Sequence, residues 1–129
     1  MHYLVSTVLL IVGVIHLLPL FGVLAGVLGR SRLKLLYGVA CDETNLAILM
    51  RHRAVLFGLL GAFLCYAAFR RDFQPVAFIG AFVSVGSFIS LARMEARVEG
   101  CNALVGRVVT IDLIALVLLV IGVVADRLQ

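Results

Sequence analysis

Four long apolar runs, at about residues 3–28, 46–69, 76–92 and 103–125, divide the 129-residue chain, and most of its charged residues fall between them. At 1.5 Å of helical rise per residue, about 20 apolar residues cross the hydrocarbon core of a bilayer. The pattern predicts an all-α fold, an integral membrane four-helix bundle formed by a single domain. Composition points the same way. Hydrophobic residue types make up 64% of the chain and charged ones 14%, against about 45–50% and about 25% in soluble domains.

Four spans use nearly the whole length, which leaves no room for a separate catalytic domain. Any chemistry is expected inside the bundle or in its two longer connections. The net charge of +4 does not point to a nucleic-acid partner, because the basic residues cluster at the ends of apolar runs, where they answer to topology. Cys41, Cys65 and Cys101 form no CxxC pair, so neither a thiol redox centre nor a zinc site is signalled.

The first run has no Arg/Lys-rich leader and is too long for a signal peptide, so it reads as a span. Pro19 is expected to bend or end that helix near His16 to Leu18, with residues 20–28 as a bent continuation or an interfacial piece. From Gly29 to Asn45, charges alternate with Leu33, Leu35, Leu36 and Tyr37, as suits an amphipathic surface segment. Thr44 and Asn45 are candidate N-caps for the second helix. Arg70, Arg71, Asp72 and Pro75 mark its exit, and Arg93 to Asn102 form the last connection.

With four spans, both termini share one side (side A) and the connections 29–45 and 93–102 share the other (side B). Arg30, Arg32, Lys34, Arg93 and Arg97 on side B outnumber Arg70, Arg71 and Arg127 on side A. The positive-inside rule then places side B in the cytoplasm and the termini in the periplasm of a bacterial inner membrane. Cys41 and Cys101 are both on side B, where they stay reduced if that side is cytoplasmic.

Ionisable residues inside spans are costly and are functional candidates by default. Arg51 and His52 fall roughly 9–10 Å inside the side B start of the second helix, with Arg107 about 6 Å and Asp112 about 14 Å into the fourth. His16 lies near the side B end of the first helix and Glu43 flanks the second, so these groups gather in one half of the bundle. Helical stepping puts Arg51 on the face of Ala47, Ala54, Gly58, Gly61, Ala62 and Cys65, a stripe of small residues suited to close helix packing. This predicts that Arg51 points inward, with His52 one step around. Arg53, about 200° from Arg51, is expected to snorkel to headgroups. Gly80, Ser84 and Ser87 share a face of the third helix.

Each residue also has a plainer role. His16 serves equally as a hydrogen-bonded packing residue, and Ser84 and Ser87 as helix-packing hydroxyls. An Arg51–Asp112 or Arg107–Asp112 ion pair would lock the bundle without further function. No HxxxH or HxxE spacing signals a metal site, no serine spacing signals an acylating triad and no phosphate loop is present. On the functional reading, His16, His52 and Asp112 are the candidate catalytic groups. Arg51, Arg107, Glu43, Ser84 and Ser87 are the candidate ligand-binding groups. Arg51 and Arg107 would attract an anionic head or a carbonyl, and a histidine would donate or accept a proton.

A first helix ending before a proline, the Leu36-Tyr37-Gly38 stretch, the acidic-Asn-Leu approach at Glu43 to Leu46, the early Arg51 and the run Phe57-Gly58-Leu59-Leu60-Gly61 resemble small four-helix bacterial membrane proteins of the DoxX-like and DUF4345-like kind. Some relatives in that broader group are linked to quinone-coupled sulfur oxidation. Similarly sized anthrone-oxygenase-like membrane proteins suggest cofactor-independent oxygenation. The name phosphopantetheine adenylyltransferase, which circulates among close relatives, implies a soluble α/β domain with a histidine phosphate motif. Here His16-Leu17-Leu18-Pro19 lies within an apolar run instead.

The expected function is binding, with or without transformation, of an amphiphilic small molecule by a pocket open to side B. Membrane lipids are the expected surroundings, and no cofactor is indicated. The alternatives are a proton-coupled transporter, oligomeric and carrying protons on His16 and Asp112, and an accessory subunit of a larger membrane complex.

Overall fold

The computed structural model describes residues 2–25, 44–96 and 103–128. Four helices form the fold: α1 His2–Ala25, α2 Thr44–Ala67, α3 Gln74–Ala96 and α4 Ala103–Arg127. A 3₁₀ turn at Arg71–Phe73 joins α2 to α3. All four helices are long and apolar enough to cross a membrane. Among the described residues there is no strand.

The helix bounds differ from expectation at several points. Pro19 lies inside α1, which continues to Ala25. Its ring removes one backbone hydrogen bond, a loss that an otherwise strongly apolar helix in packed surroundings tolerates. Helix α3 extends to Ala96, so Arg93 and Glu95 belong to its last turns rather than to a connection. Thr44 and Asn45, read as caps, lie within the first turn of α2. The proposed amphipathic segment 29–45 lies, up to Glu43, outside the described residues.

The helices pack in ring order. The α1–α2 seam is the most extensive, α4 packs on α1 and α3, and the α2–α3 seam is thinner; α2 and α4 stand at opposite corners with no Cα approach within 8 Å among the described residues. Val5, Leu9 and Val12 of α1, Leu64 of α2, Val85 of α3 and Leu119 of α4 are fully enclosed at the centre. The outward surface is apolar: Leu59, Ile79 and Val83 are each 64% exposed. An exposed apolar surface of this extent is of the kind that meets lipid or another protein rather than water.

Glycine sets the α1–α2 distance. A Cβ at Gly61 would stand 2.7 Å from the carbonyl oxygen of Gly13, and one at Gly13 would stand 2.7 Å from Cys65 Sγ. Leu20 lies over Gly58 in the same way. The two backbones are therefore in direct contact along the stripe of small residues.

Candidate functional site

That contact decides which side chains of α2 reach the bundle interior. Ala47, Ala54, Gly58 and Gly61 are buried because they face α1. The neighbouring stripe, one helical step around, carries Arg53, Phe57, Leu60 and Leu64, and its Arg53 and Phe57 line a cavity of about 280 Å³. Helix α1 contributes Ile15, His16, Leu18 and Pro19 to the same cavity, and α4 contributes Arg107, Val108, Ile111 and Asp112. Arg53 lies nine residues into α2, Asp112 nine residues into α4 and His16 nine residues before the end of α1. All three therefore stand roughly 14 Å from the side B helix ends.

The assembly of the site differs from expectation on α2. Arg53 is half-buried, and its guanidinium lies 5.1 Å from the Phe57 ring centroid and 4.8 Å from that of Phe88 on α3. It does not snorkel outward; the two rings hold it inside by cation–π attraction. Arg51 is half-buried and His52 exposed, and neither lines the cavity. The small-residue stripe of α2 packs on α1, with Gly58 against Leu20 and Gly61 against Gly13 and Leu17, rather than lining the cavity. The i, i+4 spacing of Arg53 and Phe57 was the available signal, because it stacks a cation on an aromatic ring of the same helix face.

His16 is 3% exposed. Its Nδ1 lies 2.9 Å from the Val12 carbonyl oxygen and its Nε2 lies 3.2 Å from Ser84 Oγ. A carbonyl only accepts, so Nδ1 carries a proton, and in the neutral ring Nε2 accepts from the Ser84 hydroxyl. The ring also rests on Phe57, with centroids 5.5 Å apart. This one contact joins the histidine to the Arg53 stack. Ser87 is exposed and donates to the Ser84 carbonyl over 3.0 Å, outside the cavity lining.

Asp112 and Arg107 both line the cavity, Asp112 half-buried and Arg107 exposed at its rim. Neither the Arg51–Asp112 nor the Arg107–Asp112 ion pair forms: no Asp112 carboxylate oxygen comes within 4.0 Å of an arginine nitrogen among the described residues. Arg53 and Asp112 line the same cavity without direct contact. Glu43 lies outside the described residues. Among those described, no three His, Cys, Asp or Glu side chains are gathered to hold a metal ion.

No family model, curated protein or solved structure matches the chain. The chemistry of the cavity must therefore be read from its own groups. It offers guanidinium donors, a carboxylate acceptor and an imidazole whose two nitrogens are already engaged. Apolar wall separates these groups.

Proposed function

We propose that the protein is a multi-pass membrane protein whose cavity binds a lipid-soluble molecule with a polar head, with side B toward the cytoplasm of a bacterial inner membrane. One observation carries this reading: three helices place His16, Arg53, Arg107 and Asp112 around a single, otherwise apolar cavity. A bundle built only for stability would join Asp112 directly to an arginine, because an unpaired charge in low dielectric is costly. Here donor and acceptor stand apart with space between them. The pattern is that of small-molecule sites, in which apolar walls supply affinity and a few polar groups fix orientation. The likeness of Leu36 to Gly38, Glu43 to Leu46 and Phe57 to Gly61 to DoxX-like proteins fits the same setting and names no ligand.

The chain contains no tryptophan, so a single one can report on the cavity. The Phe57→Trp variant places the reporter in its wall, and Leu59→Trp places a control on the outward face. In nanodiscs, brominated long-chain amphiphiles are expected to quench the Phe57→Trp variant saturably. They should quench the Leu59→Trp control only in proportion to their membrane concentration. Proportional quenching of both variants by every amphiphile would overturn the proposal.

A further inference from the structure

The separation of Arg53 from Asp112 bears on which head the cavity accepts. The two rings near Arg53, with centroids 5.1 and 4.8 Å from its guanidinium carbon, offer no oxygen acceptor, so its N–H groups are left to hydrogen-bond a ligand in the cavity. Their planar edge matches a carboxylate bidentately. Asp112 lines the same cavity and, among the described residues, is not in contact with any arginine. A head that satisfies both must accept from the guanidinium and either donate to Asp112 or share a proton with it. His16 does not compete, since Val12 and Ser84 engage its two nitrogens. Arg107, exposed at the rim, adds a second positive charge that draws an anion toward the cavity.

We infer that the molecule bound is a long-chain monocarboxylic acid, its carboxyl group held between the Arg53 guanidinium and the Asp112 carboxyl. This rests on the cavity being a ligand site, as proposed above, and names the ligand class. A carboxyl group beside Asp112 shares one proton with it, as paired carboxyls do, and still accepts from Arg53. A phosphodiester head carries a permanent negative charge and brings no proton, so Asp112 alone must supply the one the pair needs, whereas a carboxylic acid can bring it. A long-chain ester or ether accepts from Arg53 but leaves Asp112 without a donor. The volume of about 280 Å³ lies just below the range of sites that enclose whole drug-sized ligands. It suits a head with the first carbons of a chain, the remainder lying along the apolar outer surface.

The probes are dibromostearic acid, its methyl ester, the corresponding brominated alcohol and a brominated phosphatidylcholine, each titrated against the Phe57→Trp variant in nanodiscs. The acid is expected to saturate at a concentration at least about tenfold below the other three, in line with the greater strength of charge-assisted hydrogen bonds. Adding Arg53→Gln should abolish that preference while the alcohol still quenches saturably, which also shows that the bundle remains folded. Adding Asp112→Asn should retain or tighten acid binding, because the amide N–H donates to the carboxylate. Saturable quenching without preference for the acid, or a preference that survives Arg53→Gln, overturns the carboxylate assignment and leaves the cavity reading standing. Absence of saturable quenching by any probe overturns both.

Discussion

At the residue scale, position around a helix matters more than position along it. Arg51 and Arg53 are two residues apart and equally charged, yet one lines the cavity between two phenylalanine rings and the other does not. His16 was legible as a polar residue inside a span. Its tautomer was not, because the Ser84 hydroxyl that meets Nε2 lies 68 residues away. Gln74 poses a separate residue-scale question: it is 5% exposed, and its Nε2 has no acceptor among the described residues. A buried donor without a partner carries a desolvation cost of about 1–3 kcal/mol. Gln74→Met, similar in volume and without the amide, should leave thermal stability in detergent unchanged or raise it by about 1 kcal/mol. A clear fall in the melting midpoint would show that the amide has a stabilising partner.

At the scale of the element, α1 holds the most information. Its apolar length was readable from sequence, and of the alternatives left open after Pro19 the continuation is the one found, since packed surroundings tolerate the lost hydrogen bond. Pro19 supplies no N–H to the Ile15 carbonyl, and both residues line the cavity. The glycine contacts lead to a sharper expectation. Gly61→Val must push against the Gly13 backbone, at 2.7 Å from the new Cβ, and a backbone cannot swing aside. The cost should be at least about 1–3 kcal/mol, the usual range for overpacking. Gly86→Ala meets nothing within 4 Å and should be neutral or stabilising by about 0.5–1 kcal/mol, the helix preference of alanine. Thermal unfolding of the two variants in one detergent checks both, and equal effects would contradict the direct-contact seam.

At the scale of the whole molecule, ring order and uneven seams make the cavity. Helices α1 and α2 close tightly over glycine, and α2 and α4 stay apart across the ring, so space is left where Arg53 and Asp112 project. The orientation proposed for this assembly follows from the bias of arginine and lysine toward side B. In cysteine-free protein expressed in bacterial cells, a cysteine at the exposed Asp72 should react with an impermeant maleimide applied from outside, and one at the exposed Met94 should not. The opposite pattern would invert the assignment.

By itself the sequence determined that four apolar segments form helices long enough to cross a bilayer and that their few charges concentrate toward one end. These properties depend on composition summed along a segment, which neighbouring helices do not alter. Only the tertiary structure decided which polar groups meet. Small residues permit close approach on whichever face they occupy, but which helix takes up that approach depends on the packing of all four. Here α1 took it, the next stripe of α2 turned inward, and Arg53 rather than Arg51 came to share a cavity with His16 and Asp112.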